Sequence, residues 1–207
     1  MLPKIIAALG IAAVMAGPAS AQDKKIEMTA EAVVSENRQE SFVRPNIFYR
    51  IGNMKAYTFF EFYRSEEYFG KTIIGKDMWK GFGPTGELVV GSDTRNRIGA
   101  GVKYSFDGKK ADFSLKFLPA WFDTGGHEER VMLGYSGSLE LPQDFDVSVF
   151  GEIDVDSPHG AEWGYGEISI GRNFGKFRLS YNPLLKNRDD GILKPRMEHA
   201  VCASYKF

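Results

Sequence analysis

The sequence has a single cysteine and three histidines. A disulfide-stapled scaffold needs many more cysteines, and a structural zinc site needs clustered Cys and His, so both are excluded. There is no excess of basic residues: 26 Lys and Arg stand against 27 Asp and Glu, which argues against nucleic-acid binding. No apolar run beyond residue 21 approaches the roughly 18 residues that a membrane-spanning helix requires. No G-x-S-x-G nucleophile context occurs, and Gly99-x-Gly101 and Gly164-x-Gly166 lack the following helix of a phosphate loop. What the sequence does have is 14% aromatic residues and 23 glycines in 207 residues, a composition that suits strands better than helices.

Residues 1–21 read as an address and not as part of the fold. Lys4 precedes an apolar run, Ile5 to Ala16, that is too short to span a bilayer as a helix. Gly17 and Pro18 break it, and Ala19-Ser20-Ala21 forms an A-x-A cleavage site. This is the pattern of a cleaved secretory signal peptide. It leaves residues 22–207 as one exported domain.

Within that domain, apolar and polar residues alternate with the period of a strand. Ile98, Ala100, Val102, Tyr104 and Phe106 share one face, opposite Arg97, Gly99, Gly101, Lys103 and Ser105. Phe113, Leu115, Phe117, Pro119 and Trp121 oppose Asp112, Ser114, Lys116 and Leu118; Phe145, Val147, Val149 and Ile153 oppose Asp146, Ser148, Glu152 and Asp154. The pattern predicts about twelve strands, with eight or ten as alternatives. Residues 54–65 are aromatic on both faces, and residues 68–80 and 86–92 read as strands of unassigned parity. Short turns at Gly52-Asn53, Gly83–Gly86, Asp107-Gly108, Pro142–Asp144 and Gly175 alternate with longer polar connections. An all-β, antiparallel transmembrane barrel with short periplasmic turns and longer extracellular loops accounts for that asymmetry. A soluble sandwich also alternates, but here the apolar faces end in aromatics, as interfacial girdles do.

The last strand places Val201, Ala203, Tyr205 and Phe207 on one face. It resembles the C-terminal strand of Gram-negative outer-membrane β-barrel proteins, which commonly ends in Phe with Tyr two residues before it. That resemblance implies an outer-membrane location after export across the inner membrane. It implies recognition of Tyr205-Lys206-Phe207 by the barrel-assembly machinery, and contact with outer-membrane lipids and lipopolysaccharide. By size and strand count the chain is similar to the small, monomeric twelve-stranded channels, such as the nucleoside-specific and acidic-oligosaccharide-specific porins. Tyr57–Tyr63 (YTFFEFY) and Tyr68-Phe69-Gly70 resemble the nucleoside-channel group. The implied function is passive passage of small polar solutes, with no cofactor, metal or nucleic-acid partner. A structural or ligand-binding barrel with a plugged lumen is the alternative.

If the apolar faces meet lipid, parity turns nine bases and nine acids inward, so the lumen expects no net charge. The candidate pore-lining residues are Arg44, Arg97, Lys103, Lys116, Arg130, Glu152, Asp154 and Glu167. Bases concentrate in residues 97–130 and acids in 140–167. This predicts a transverse field, with Arg97, Lys116 and Arg130 facing Glu152, Asp154 and Glu167 across an open pore; mutual pairing that plugs the barrel is the competing expectation. An outer-membrane hydrolase or acyltransferase would need a rim histidine, and His127 beside Glu128 and Glu129, or His159 near Asp156 and Ser157, are the candidates. Polar loops normally hold such histidines as solvated side chains. His199 falls on the apolar face, and Cys202 on the inward face without a partner cysteine.

Overall fold

The computed structural model describes residues 24–37, 41–63, 67–92, 96–123, 126–128, 130–156, 160–186 and 196–207. The expected signal peptide therefore lies outside the described residues. So do His159 and Ser157, and so do the side chains of His127 and its two glutamates.

The chain forms one antiparallel sheet of twelve strands. They are β1 (Lys24–Ser35), β2 (Phe42–Ile51), β3 (Met54–Tyr63), β4 (Tyr68–Lys76), β5 (Phe82–Gly91) and β6 (Arg97–Asp107). The second half comprises β7 (Ala111–Asp123), β8 (Gly126–Glu128 with Arg130–Glu140), β9 (Phe145–Asp156), β10 (Gly160–Phe174), β11 (Phe177–Tyr181 with Leu184–Lys186) and β12 (Arg196–Glu198 with Ala200–Lys206). Each strand pairs with its neighbour in sequence, and β1 closes the sheet on β12, from Thr29 opposite Lys206 to Ser35 opposite Ala200. Closure leaves no sheet edge, which is what permits strands to lie in hydrocarbon. Among the described residues no helix is long and apolar enough to cross a membrane.

The outward face is the apolar one: Ile26, Val34, Ile98, Val102 and Leu179 are all more than half exposed. Rings gather at the turn end of this face, with Phe82 tilted against Tyr104 at 4.7 Å and Tyr205 packed between Phe177 and Phe207. His199 is also outward, stacked on Tyr181 near the opposite end. Both termini of the barrel lie at the turn end.

Two sequence expectations need correction. The turn between β4 and β5 is not Gly83–Gly86. It is Lys80-Gly81, where both residues take positive φ (46° and 89°) and Trp79 and Phe82 exchange backbone hydrogen bonds. This is the two-residue hairpin geometry whose twist matches the strands. Gly83 to Gly86 belong to β5; a Cβ on Gly83 would lie 1.7 Å from the Lys76 carbonyl oxygen, so close backbone approach explains the glycine. β4 accordingly ends at Lys76 and β5 starts at Phe82.

The second correction concerns Trp121, expected toward lipid but only 1% exposed inside the barrel. The β6–β7 register shifts between Ala100 and Val102. Pro119 has no N–H to give the ladder, and Gly101 lets the Phe117 carbonyl approach to 1.9 Å from where a Cβ would stand. The resulting bulge reverses parity, so Leu118 and Trp121 both turn inward.

Candidate functional site

The lumen is occupied by side chains. In the half nearer the long connections, two charged networks meet across it. The first is centred on Arg44 of β2. Its Nε donates to Glu31 of β1 at 2.6 Å, and Nη1 donates to Glu61 of β3 at 3.3 Å. Nη1 and Nη2 grip Glu167 of β10 on the far wall as a fork, at 3.0 and 3.1 Å. The Phe42 and Phe59 rings lie 5.4 and 6.0 Å from the guanidinium carbon. The carboxylates are held in turn: Tyr63 donates to Glu61 at 2.5 Å, Tyr165 to Glu167 at 3.0 Å, and Asn182 to Glu167 at 2.6 Å.

The second network is a ring of alternating sign. Lys71 of β4 bridges Glu87 of β5 at 3.0 Å and Glu152 of β9 at 2.5 Å. Lys116 of β7 closes the ring by contacting Glu87 and, at 2.7 Å, Glu152. All four side chains are under 10% exposed. Burying one such charge alone would cost several kcal/mol; the alternating ring supplies each head with two opposite charges. Aromatic side chains fill the space between the networks, with Phe59 5.9 Å from Phe69 and Phe150 5.9 Å from Tyr165. Apolar clusters flank both networks: Val33, Phe42, Leu184, Ala200 and Cys202 on one side, and Val89, Leu118, Trp121 and Met132 on the other. Together these groups form a septum.

The turn-side half differs. Its inward faces carry hydroxyls, including Thr29, which accepts from Asn46 at 3.2 Å, and the pair Ser105–Ser114 at 3.3 Å. Charges there stand near the rim. Lys103 meets Asp77 at 2.7 Å, Lys55 reaches both Asp77 and Asp107, and Arg178 clasps Asp146. Partial burial pushes the Asp77 carboxyl, in the β4–β5 turn, upward, but hydrogen bonds from Lys103 and Lys55 outweigh it and hold that group below its ordinary range.

All eight candidate residues stand on inward-facing positions, in different places. Arg44 and Glu167 share the first network; Lys116 and Glu152 share the second. Arg130 and Asp154 pair at 2.6 Å, with the Arg130 guanidinium 5.1 Å from the Trp121 ring. Lys103 belongs to the turn-side rim, and Arg97 is half-buried at the loop-side start of β6, in register with Asp123. The transverse field across an open gap is not what forms: Lys116 touches Glu152, and Arg130 touches Asp154. The even count of nine and nine also changes, because Glu61, Lys71 and Glu87 point inward and lie in the segment whose parity the sequence left open. A signal was present. Glu61 shares parity with Tyr57, Phe59 and Tyr63, and a carboxylate cannot face lipid, so its face had to be the inner one.

No protein-family model matches the sequence, and no curated protein matches it either. Solved structures do. The barrel is similar to the NanC porin with a TM-score of 0.61 at 9% identity, over 87% of this chain and 98% of that one. It is similar to the KdgM porin in complex with disordered oligogalacturonate with a TM-score of 0.57 at 10% identity, over 87% of this chain and 99% of that one. The fold is that of a small twelve-stranded outer-membrane porin. At such identities the likeness is one of fold, and it covers almost the whole length of each porin.

Proposed function

We propose that this chain is an outer-membrane channel for small polar solutes, closed at rest by its septum. One observation carries this reading: among the described residues the closure consists of side chains alone. No described backbone segment crosses the lumen, and the heads that meet across it sit on the long, rotatable stems of Lys71, Lys116 and Arg44. Such a closure opens by rotamer changes without unpairing the sheet. The porin fold is consistent with it. The oligogalacturonate of the KdgM complex is a polyanion, and nothing here favours the same ligand, because Arg44, Lys71, Lys103, Lys116 and Arg130 are each already bonded to a carboxylate. The chain works as a monomer in outer-membrane lipid and lipopolysaccharide, with its last strand offered to the assembly machinery and its leader removed on export.

Planar-bilayer recording of refolded protein tests this, with heat-modifiable gel mobility confirming the folded barrel. Small, intermittent conductance is expected from the natural chain. Lys71→Ser combined with Glu152→Ser keeps the charge balance and removes two cross-lumen stems, so the open-state conductance should rise. A second reading, a structural barrel with a permanent plug, draws on the buried Leu118, Trp121 and Met132 beside the septum. Silence of both proteins at all voltages would establish that reading in place of the channel.

A further inference from the structure

Resting on the channel reading, we propose that the open lumen selects small cations over anions, and that Glu31 and Glu61 are the residues that set this preference. The septum is not balanced. Its three bases, Arg44, Lys71 and Lys116, meet five carboxylates. The Lys71–Glu87–Lys116–Glu152 ring is neutral on its own, so the surplus falls wholly at the Arg44 network, where Glu31, Glu61 and Glu167 share one guanidinium. Extending the count through the described loop-side half leaves its sign unchanged: Arg130 is matched by Asp154, Arg97 stands in register with Asp123, and the buried Glu198 offsets one of the two bases, Lys186 and Arg196, at the ends of β11 and β12.

Geometry makes the surplus matter to a passing ion. Arg44 is pinned by carboxylates from three strands and flanked by two rings, so its charge is consumed where it stands. Glu167 takes the fork of that guanidinium and an amide from Asn182. Glu31 and Glu61 each receive a single guanidinium nitrogen, Glu31 keeps 19% of its side chain exposed, and Tyr63 fixes Glu61 to the wall. Carboxylates set in a narrow, low-dielectric passage focus a negative potential along its axis. Carboxylate rings are a general device for admitting cations. The favoured solutes are inorganic monovalent cations and small protonated amines. An acidic sugar would meet surplus carboxylates and no uncommitted base in the septum.

The probe is potassium chloride, in a gradient across a planar bilayer at neutral pH. The natural chain, and the Lys71→Ser/Glu152→Ser protein with its larger current, should both give reversal potentials on the potassium side of zero. Glu31→Gln with Glu61→Gln should move that potential toward zero, with gel mobility showing an intact barrel. A chloride-side or zero potential from both parent proteins would overturn the selectivity while leaving the channel standing. A potential that the double glutamine variant leaves unmoved would overturn the role of Glu31 and Glu61. Absence of current in every protein would remove both proposals.

Discussion

The two halves of the lumen are built on the same alternation and filled in opposite ways. Toward the long connections, inward positions carry Arg44, Lys71, Lys116 and their carboxylates among apolar clusters, nearly all inaccessible to solvent. Toward the turns, they carry hydroxyls, and the charges retreat to a partly exposed rim. Strand pattern therefore decides which residues point inward, but not whether the interior is wet. Side-chain length decides that. Long charged stems reach opposite walls and bury one another; Ser and Thr reach only their neighbours and stay partly exposed.

The sharpest way to break this contrast is to remove a cation from each half. Arg44→Leu leaves Glu31, Glu61 and Glu167 facing one another without a guanidinium. A loss of about 3–5 kcal/mol is expected for an uncompensated buried cluster. Arg178→Leu strands only Asp146, in a partly exposed site, and should cost about 1 kcal/mol. Urea unfolding of the refolded barrels, followed by gel mobility, compares them. Equal losses would mean that the turn-side half is as dry as the septum.

A second, intermediate contrast concerns Trp121. In a protein whose only tryptophan is Trp121 (Trp79→Phe, Trp163→Phe), bromine-labelled lipid chains should quench the fluorescence weakly. The matching protein that keeps only Trp163, which covers Gly166 on the lipid face, should be quenched strongly. Strong quenching of Trp121 would put it back on the face that simple alternation gives.

That tryptophan also marks where the sequence stops being legible. Strand number, barrel closure, the apolar belt and the inward position of all eight candidate residues follow from period-two alternation, because lipid punishes any charge on the outer face. Two kinds of feature escape it. A bulge shifts parity by one residue, and Pro119 beside a glycine opposite signals one only once the pairing of β6 with β7 is known. Partners across the lumen are the other. Arg44 and Glu167 are 123 residues apart and lie on strands that never pair, so no local pattern joins them. The mistaken turn at Gly83–Gly86 has a simpler cause: glycine there serves backbone approach, while Lys80, a residue with no turn signature, takes the left-handed position.

The smallest expected effect tests the wet half directly. Ser114 bonds Ser105 in register across β6 and β7, and both hydroxyls are partly exposed. If water fills the turn-side half, Ser114→Ala removes one weak bond whose partner is at once hydrated. The stability change should stay within about 0.5 kcal/mol, and bilayer current should be unaltered, because the septum lies elsewhere. If this half were packed, the Ser105 hydroxyl would be left buried without a partner. The same substitution would then cost about 1–3 kcal/mol. The urea midpoint separates the two outcomes, and a large shift would show that the closure extends through the whole barrel.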